Sequence, residues 1–327
     1  MKHDFLEDLS TYRFAVMGLS ILSIMLFHQY FIKNPIFSIF HNYGYWGVDV
    51  FLFLSGIGLV RSIESYSTSR FYSRRFFRII PSCIFCGVIK YVAFVLMLSS
   101  LGHLKLGLHL GWWSVVSLDL WFVYTIILLY LFSPFIYKCL VKIPILTIVI
   151  VIAMFLMNGF FVRDNVGYNW FSPIGIISWS LERLPVFVWG MTIAIYKNIN
   201  KDKIVYYSFV SLFFAIILVA IQKYIMPDAI GGRAVIFTFL SFGILAVVIV
   251  NIQLLKRIPS IIVSIFNFLG ILSLELYLVH EFLFNIFLLK NNCNSYVLFL
   301  ISFLFSILVA YLCKFVIDKF LVFVGVK

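Results

Sequence analysis

Ten apolar runs, each close to the ~20 residues that a membrane-crossing helix requires, fill most of this chain. They lie at 14–33, 45–63, 79–100, 119–138, 143–162, 174–196, 204–222, 233–251, 261–286 and 296–316. Between them no long polar stretch remains for a separate soluble domain. With 63% hydrophobic and 12% charged residues among 327, and a mean hydropathy of +1.09, a water-soluble fold could not hide its apolar surface. Lipid is therefore the solvent. The 38 Phe residues suit lipid-facing and interfacial positions. The expected architecture is an all-α, polytopic transmembrane bundle of about ten helices, forming a single domain over 1–327.

The net charge of +12 does not point to nucleic acid, because the basic residues fall in short clusters between apolar runs rather than along one polar face. With the N-terminus in the cytosol, seventeen Lys and Arg lie inside, seven lie outside, and Lys90 falls within a run. That bias is what the positive-inside rule predicts. Ten crossings return the C-terminus to the cytosol, with Lys314 and Lys319 near it. Residues 1–13 carry Asp4, Glu7 and Asp8, and the next run is too long for a signal peptide's apolar core. It reads as a retained first helix. No internal repeat is visible, whereas many secondary transporters carry one.

Cys83 and Cys86 have CxxC spacing but lack the second pair that a zinc site needs, and Cys139, Cys293 and Cys313 are scattered. They read as small apolar fillers, and no metal is expected.

Ionisable groups inside apolar runs are the candidates for chemistry, since each must find a partner or a polar cavity. His28 lies toward the outer end of the first run. Arg13, fifteen residues earlier, is ~22 Å away along a helix and about 60° around it, so the two belong to opposite ends of one process. Asp49, near the outer end of the second run, either caps the helix start or orients a histidine. Gly47, Ser55, Gly56 and Gly58 in that run permit close helix approach. The segment 61–78 reads as a cytosolic loop. In it Arg75 and Arg78 stand at i, i+3 on one helical face, a spacing suited to phosphate as well as to anionic lipid. Glu182 and Arg183 fall inside the sixth run, and as sequence neighbours they face apart, so each needs its own partner. In the ninth run Ser273, Tyr277 and His280 share a face, whereas Glu275 points ~140° away and must address another neighbour. Trp112, Trp113, Trp121 and Tyr124 suit an aromatic belt, with Trp121 also able to stack on a sugar ring. His41, His103 and His109 lie in outer segments and read as solvated.

These pieces together resemble acyltransferase family 3, the integral membrane acyltransferases. The matching stretches are MGL at 17–19 with LFH at 26–28, GVDVFLFLSG at 47–56, RRFFRIIP at 74–81, LWF at 120–122 with YLFSP at 130–134, ERLPVF at 182–187 with Gly190, and LELYLVH at 274–280. They occur in the family's order over nearly the whole chain. Where many members carry a basic residue eleven positions before the histidine, this chain has Met17, and Arg13 stands one turn earlier.

The resemblance implies transfer of an acyl group, by default acetyl, from cytosolic acyl-CoA to a hydroxyl of an extracytoplasmic or lipid-linked sugar of a surface polysaccharide. Acetyl-CoA is then a co-substrate, the partners are membrane lipid and a carbohydrate acceptor, and the location is the plasma membrane. The family's first-helix histidine corresponds to His28 and its RxxR pair to Arg75 and Arg78. On this reading Arg75 and Arg78, with Arg13, take the CoA phosphates, and His28 is the general base. Asp49 or Glu182 orients the imidazole or stabilises its charged form. Arg183, Tyr277 or His280 stabilises the thioester oxyanion, and Trp121 contacts the substrate. An acyl-histidine intermediate is compatible with the same arrangement. The competing class is a transporter of a glycan or small anion, which would move its substrate without consuming CoA.

Overall fold

The structure, a computed structural model, describes residues 5–100, 102, 105, 108–109, 121–162, 173–196, 201–225, 232–288 and 294–325. Among them there is no strand, and twelve α-helices follow one another: α1 (Phe5–Phe27), α2 (Pro35–Tyr43), α3 (Trp46–Ser65), α4 (Thr68–Ser100), α5 (Trp121–Lys142), α6 (Pro144–Met157), α7 (Pro173–Ile195), α8 (Lys201–Tyr224), α9 (Gly232–Arg257), α10 (Ser260–Ile271), α11 (Ser273–Leu288) and α12 (Ser295–Phe323). A π-helical turn, Asn158–Val162, extends α6. The all-α polytopic bundle is thus the observed class.

Among the described residues, seven helices, α1, α3, α4, α5, α8, α9 and α12, are long and apolar enough to cross a membrane. Counted together as one broken span, the bent pair α10–α11 makes an eighth. Of the two remaining runs, α6 has only 14 residues before its π turn, and α7 has the length but carries Glu182 and Arg183.

Three boundaries differ from those read from hydropathy. The expected loop 61–78 is mostly helix: α3 continues to Ser65, and α4 starts at Thr68 and runs for 33 residues, so Arg70 to Arg78 are helical. Hydropathy ends a span where charges begin, whereas helical hydrogen bonding does not depend on what the side chains prefer as solvent. Pro81 lies inside α4 and deprives the Phe77 carbonyl of its helical donor without ending the helix. The run 14–33 stops being helical at Phe27. The Gln29 side chain folds the next residues, accepting from the Ile32 amide at 3.0 Å and donating to its carbonyl at 3.2 Å. Asn34 then caps α2, accepting from the Phe37 amide at 2.9 Å, with Pro35 at the first helical position. Finally the ninth run, expected as one span, breaks at Leu272 with a bend of 79°.

The chain divides into two compact units. One contains residues 1–12, 49–72 and 121–258, the other 13–48, 73–120 and 259–327. In the first, α3 crosses α7 with backbones touching: a Cβ on Gly56 would strike the Phe187 carbonyl, and one on Gly190 the Phe53 carbonyl. Phe53, Leu52, Phe187 and Met191 form the buried core around that crossing. Elsewhere in this unit α8 is tied to α9 by hydroxyls. Ser208 donates to the Phe242 carbonyl at 2.8 Å and accepts from the Ala246 amide at 3.0 Å, and Ser211 donates to the Phe239 carbonyl at 2.7 Å. Only 11% of the apolar stretch of α8 is buried, so most of that helix faces lipid.

In the second unit α1 and α10 make the same kind of approach. A Cβ on Gly18 would meet the Phe266 carbonyl, and one on Gly270 the Phe14 carbonyl. This contact sets the direction of α10. The buried polar residues Ser273, Glu275 and His280 set that of α11, and the chain bends between the two. Small residues serve both crossings because lipid offers no hydrophobic drive for helix association, which leaves close packing as the source of cohesion.

Because Gly190 touches a backbone that cannot move aside, Gly190→Val should overpack the α3–α7 crossing by about 1–3 kcal/mol. Thermal melting of the detergent-solubilised protein, followed by size-exclusion chromatography, should show a lower midpoint than the wild type.

Candidate functional site

The end of α1 is the first place where titratable groups gather. The last helical carbonyls have no partner within the helix and must find donors. The Ile24 carbonyl accepts from the His28 amide at 3.1 Å and lies 3.1 Å from His28 Nδ1. His41 Nδ1 lies 2.9 Å from the Phe27 carbonyl. His41 is exposed, as expected of an outer segment, but it also caps α1. Ser23 donates to the Gly44 carbonyl at 3.0 Å and ties α1 to the end of α2. His28 is therefore held at a helix terminus, three of whose neighbouring groups are fixed.

α11 supplies the opposite wall. His280 is buried at 1% exposure, and its Nε2 lies 3.0 Å from His28 Nδ1. His280 Nδ1 lies 2.8 Å from the Leu276 carbonyl and 3.1 Å from the Tyr277 carbonyl. The rings of Tyr277 and Phe284 flank it, with centroids 6.0 Å and 5.9 Å away. Beside it, Glu281 places Oε2 3.7 Å from His28 Nε2. Ser273, Tyr277 and His280 are all buried, in keeping with their shared face. Glu275 addresses a different neighbour: the Ser82 hydroxyl of α4 donates to its Oε1 at 2.8 Å. Lys90, also on α4, is buried at 2% exposure.

The same unit carries the three arginines. Arg13 is half-buried near the start of α1, which is helical as far as Phe27, so its separation from His28 along the helix axis is ~22 Å. On α4, Arg75 is half-buried and Arg78 is exposed one turn further on.

The remaining candidates belong to the other unit. Asp49 lies in the first turn of α3, and Arg183 Nη1 donates to its Oδ1 at 2.8 Å and its Oδ2 at 3.0 Å. The pair is buried, with side-chain exposures of 4% and 8%. The Arg183 guanidinium also lies over the rings of Trp121 and Phe237, 5.8 Å and 5.2 Å from their centroids. Trp121 packs against Trp179 at 5.1 Å. Asp49, expected either to cap its helix or to orient a histidine, has its carboxylate bound by Arg183. Glu182 is buried at 5% exposure on the adjacent face of α7. Trp112 and Trp113 lie outside the described residues, as does His103.

His28, Tyr277 and His280 thus come together in one unit, and Asp49, Arg183 and Trp121 in the other. Glu281 is the functional candidate that sequence reading passed over. The rule that singled out His280 applies to it equally, since it is an ionisable residue inside the run 261–286. Both ring nitrogens of His280 are engaged, Nε2 by His28 and Nδ1 by two carbonyls. Among the described residues, no group of three or more His, Cys, Asp or Glu side chains is arranged to hold a metal.

The family model of the acyltransferase domain that defines acyltransferase family 3 matches residues 15–315, which include every candidate named above except Arg13. No curated protein and no solved structure matches the chain.

Removing one partner of a buried ion pair strands the other charge, which costs about 3–5 kcal/mol, whereas replacing both by apolar residues of similar volume is often neutral. Asp49→Leu alone and Arg183→Met alone should each lower the melting temperature sharply. The double variant should recover most of the loss in the same melting assay.

Proposed function

Since the chain belongs to acyltransferase family 3 and is a multi-pass membrane acyltransferase, we propose that it moves an acetyl group from cytosolic acetyl-CoA to a hydroxyl of an extracytoplasmic or lipid-linked sugar of a surface polysaccharide at the plasma membrane. The observation that carries this reading is the location of His28. It is a titratable group just past the end of α1, the helix that also carries Arg13, in the unit that also holds Arg75 and Arg78.

The donor's phosphates bind Arg75 and Arg78, whose i, i+3 spacing presents two guanidiniums on one face, with Arg13 assisting. The extended pantetheine arm is comparable in length with the ~22 Å between Arg13 and His28, so the thioester reaches the depth of the imidazole. The sugar hydroxyl enters from the other side of the membrane. Its oxygen attacks the thioester carbonyl carbon while His28 takes its proton. The tetrahedral intermediate then expels the CoA sulfur, the carbon–sulfur bond breaks, and the proton passes from His28 to the departing thiolate. Tyr277, buried beside the histidines, is the candidate donor to the oxyanion in this unit. Within the other unit, the Arg183 guanidinium lies over Trp121, whose apolar face is suited to a sugar ring. The Arg183–Asp49 pair holds that guanidinium in place, which supports a positioning role for Asp49.

Inside-out vesicles from cells with and without the protein, supplied with labelled acetyl-CoA, test this. Label should enter a cell-surface glycan identifiable by mass spectrometry, and His28→Ala should abolish transfer while the protein still inserts at the wild-type level. Arg75→Ala with Arg78→Ala should raise the KM for acetyl-CoA more than tenfold. Movement of a glycan or anion with no consumption of CoA would replace this reading by transport.

A further inference from the structure

The contacts around His28 assign protons to both imidazoles. A neutral imidazole has one N–H donor and one bare acceptor nitrogen. His280 Nδ1 faces two backbone carbonyls, at 2.8 Å and 3.1 Å, and a carbonyl can only accept. His280 therefore carries its proton on Nδ1 and presents a bare Nε2 to His28. That bare nitrogen lies 3.0 Å from His28 Nδ1, which also faces the Ile24 carbonyl at 3.1 Å. Two acceptors converge on His28 Nδ1, so Nδ1 holds the proton and shares it between them. The opposite assignment would put a lone pair of His28 against the Ile24 carbonyl and a lone pair of His280 against two more. Three carbonyls thus agree on one tautomer for each ring, and His28 Nε2 is left bare.

The bare nitrogen faces a carboxylate. Glu281 Oε2 lies 3.7 Å from it. When both are unprotonated they are two acceptors with nothing to share. A proton arriving at Nε2 converts the contact into an ion pair, and the charge-assisted interaction favours the protonated ring.

We propose that His280 and Glu281 act on His28 from opposite sides as positioning residues, His280 holding its proton on Nδ1 so that Nε2 is the basic nitrogen, and Glu281 stabilising the imidazolium that forms there. The role in catalysis rests on the acyltransferase reading above, whereas the tautomer does not. In the transfer step the acceptor's O–H proton moves to Nε2 as the oxygen–carbon bond forms, and the same proton leaves Nε2 for the CoA thiolate. His280 keeps its proton throughout. The arrangement resembles the general logic of a base oriented by a buried hydrogen-bond partner behind it. Here a neutral histidine backed by carbonyls stands where a carboxylate often does, and the carboxylate sits on the reacting side.

Two measurements on the full-length protein in detergent micelles test the proposal. In ¹⁵N-histidine NMR, with His28 assigned by the signals lost in His28→Gln, His28 should show a protonated Nδ1 and a bare Nε2. A protonated Nε2 with a bare Nδ1 would overturn the assignment, and this readout needs no activity. In the acetyl-transfer assay, His280→Leu should lower kcat roughly 10–100-fold with the KM for acetyl-CoA unchanged, while His280→Gln, which keeps an acceptor, should recover most of the loss. Glu281→Gln should also lower kcat and not KM. Equal losses in the Leu and Gln variants of His280, or losses confined to KM, would overturn the positioning role. If the wild-type protein transfers no acetyl group, the acyltransferase reading fails while the NMR result still decides the tautomer.

Discussion

Hydrocarbon cannot hydrogen-bond, so each polar group carried into the membrane needs a protein partner there. That single requirement organises the interior of both units. The Asp49 carboxylate is bound by Arg183, which also lies over two aromatic rings. Glu275 accepts from Ser82, and His280 is anchored on the carbonyls of its own helix. None of these groups would persist at such depth for packing reasons alone. An aliphatic residue would cost less at each of these positions.

The second requirement is cohesion without a hydrophobic drive. Both units meet it by bringing helix backbones together at paired glycines, Gly56 with Gly190 in one and Gly18 with Gly270 in the other. The α1–α10 crossing has a consequence for the site. It fixes one side of α1 a few turns below His28, so the position of the imidazole follows from a packed helix and not from a loop. The short α2 closes the arrangement, because its His41 and the Gly44 carbonyl engage α1 near its end. A base on a packed helix end is better placed for a proton transfer than one on a mobile connection, since the reacting atoms must meet within a hydrogen-bond distance.

Much of the fold was legible in the sequence, because the length and apolarity of each run report directly on the solvent that surrounds it. The breaks were not. Nothing in the apolar stretch 261–286 announces the 79° bend at Leu272, since the residues on either side are as apolar as a continuous span requires. The bend arises from what α10 and α11 pack against. The segment 61–78 looked like a loop because it is charged, yet α4 runs through its second half without interruption. Hydropathy reads preference for lipid or water, and an α-helix is stable in both.

The site divides in the same way. Residue type and depth alone were enough to pick out His28, Asp49, Arg183, Tyr277 and His280 as groups needing partners, because the cost of burying charge or polarity depends on the residue and its surroundings and not on the partner's identity. Which partner each one has was decided by tertiary structure. Asp49 and Arg183 are 134 residues apart in the chain, and His28 and His280 are 252 apart. No local spacing encodes those pairs, and a hydrogen bond needs its two atoms within about 3 Å. The chain by itself therefore determined that lipid surrounds it and that certain side chains must be answered inside. The packing of helices distant in sequence decided which atoms answer them.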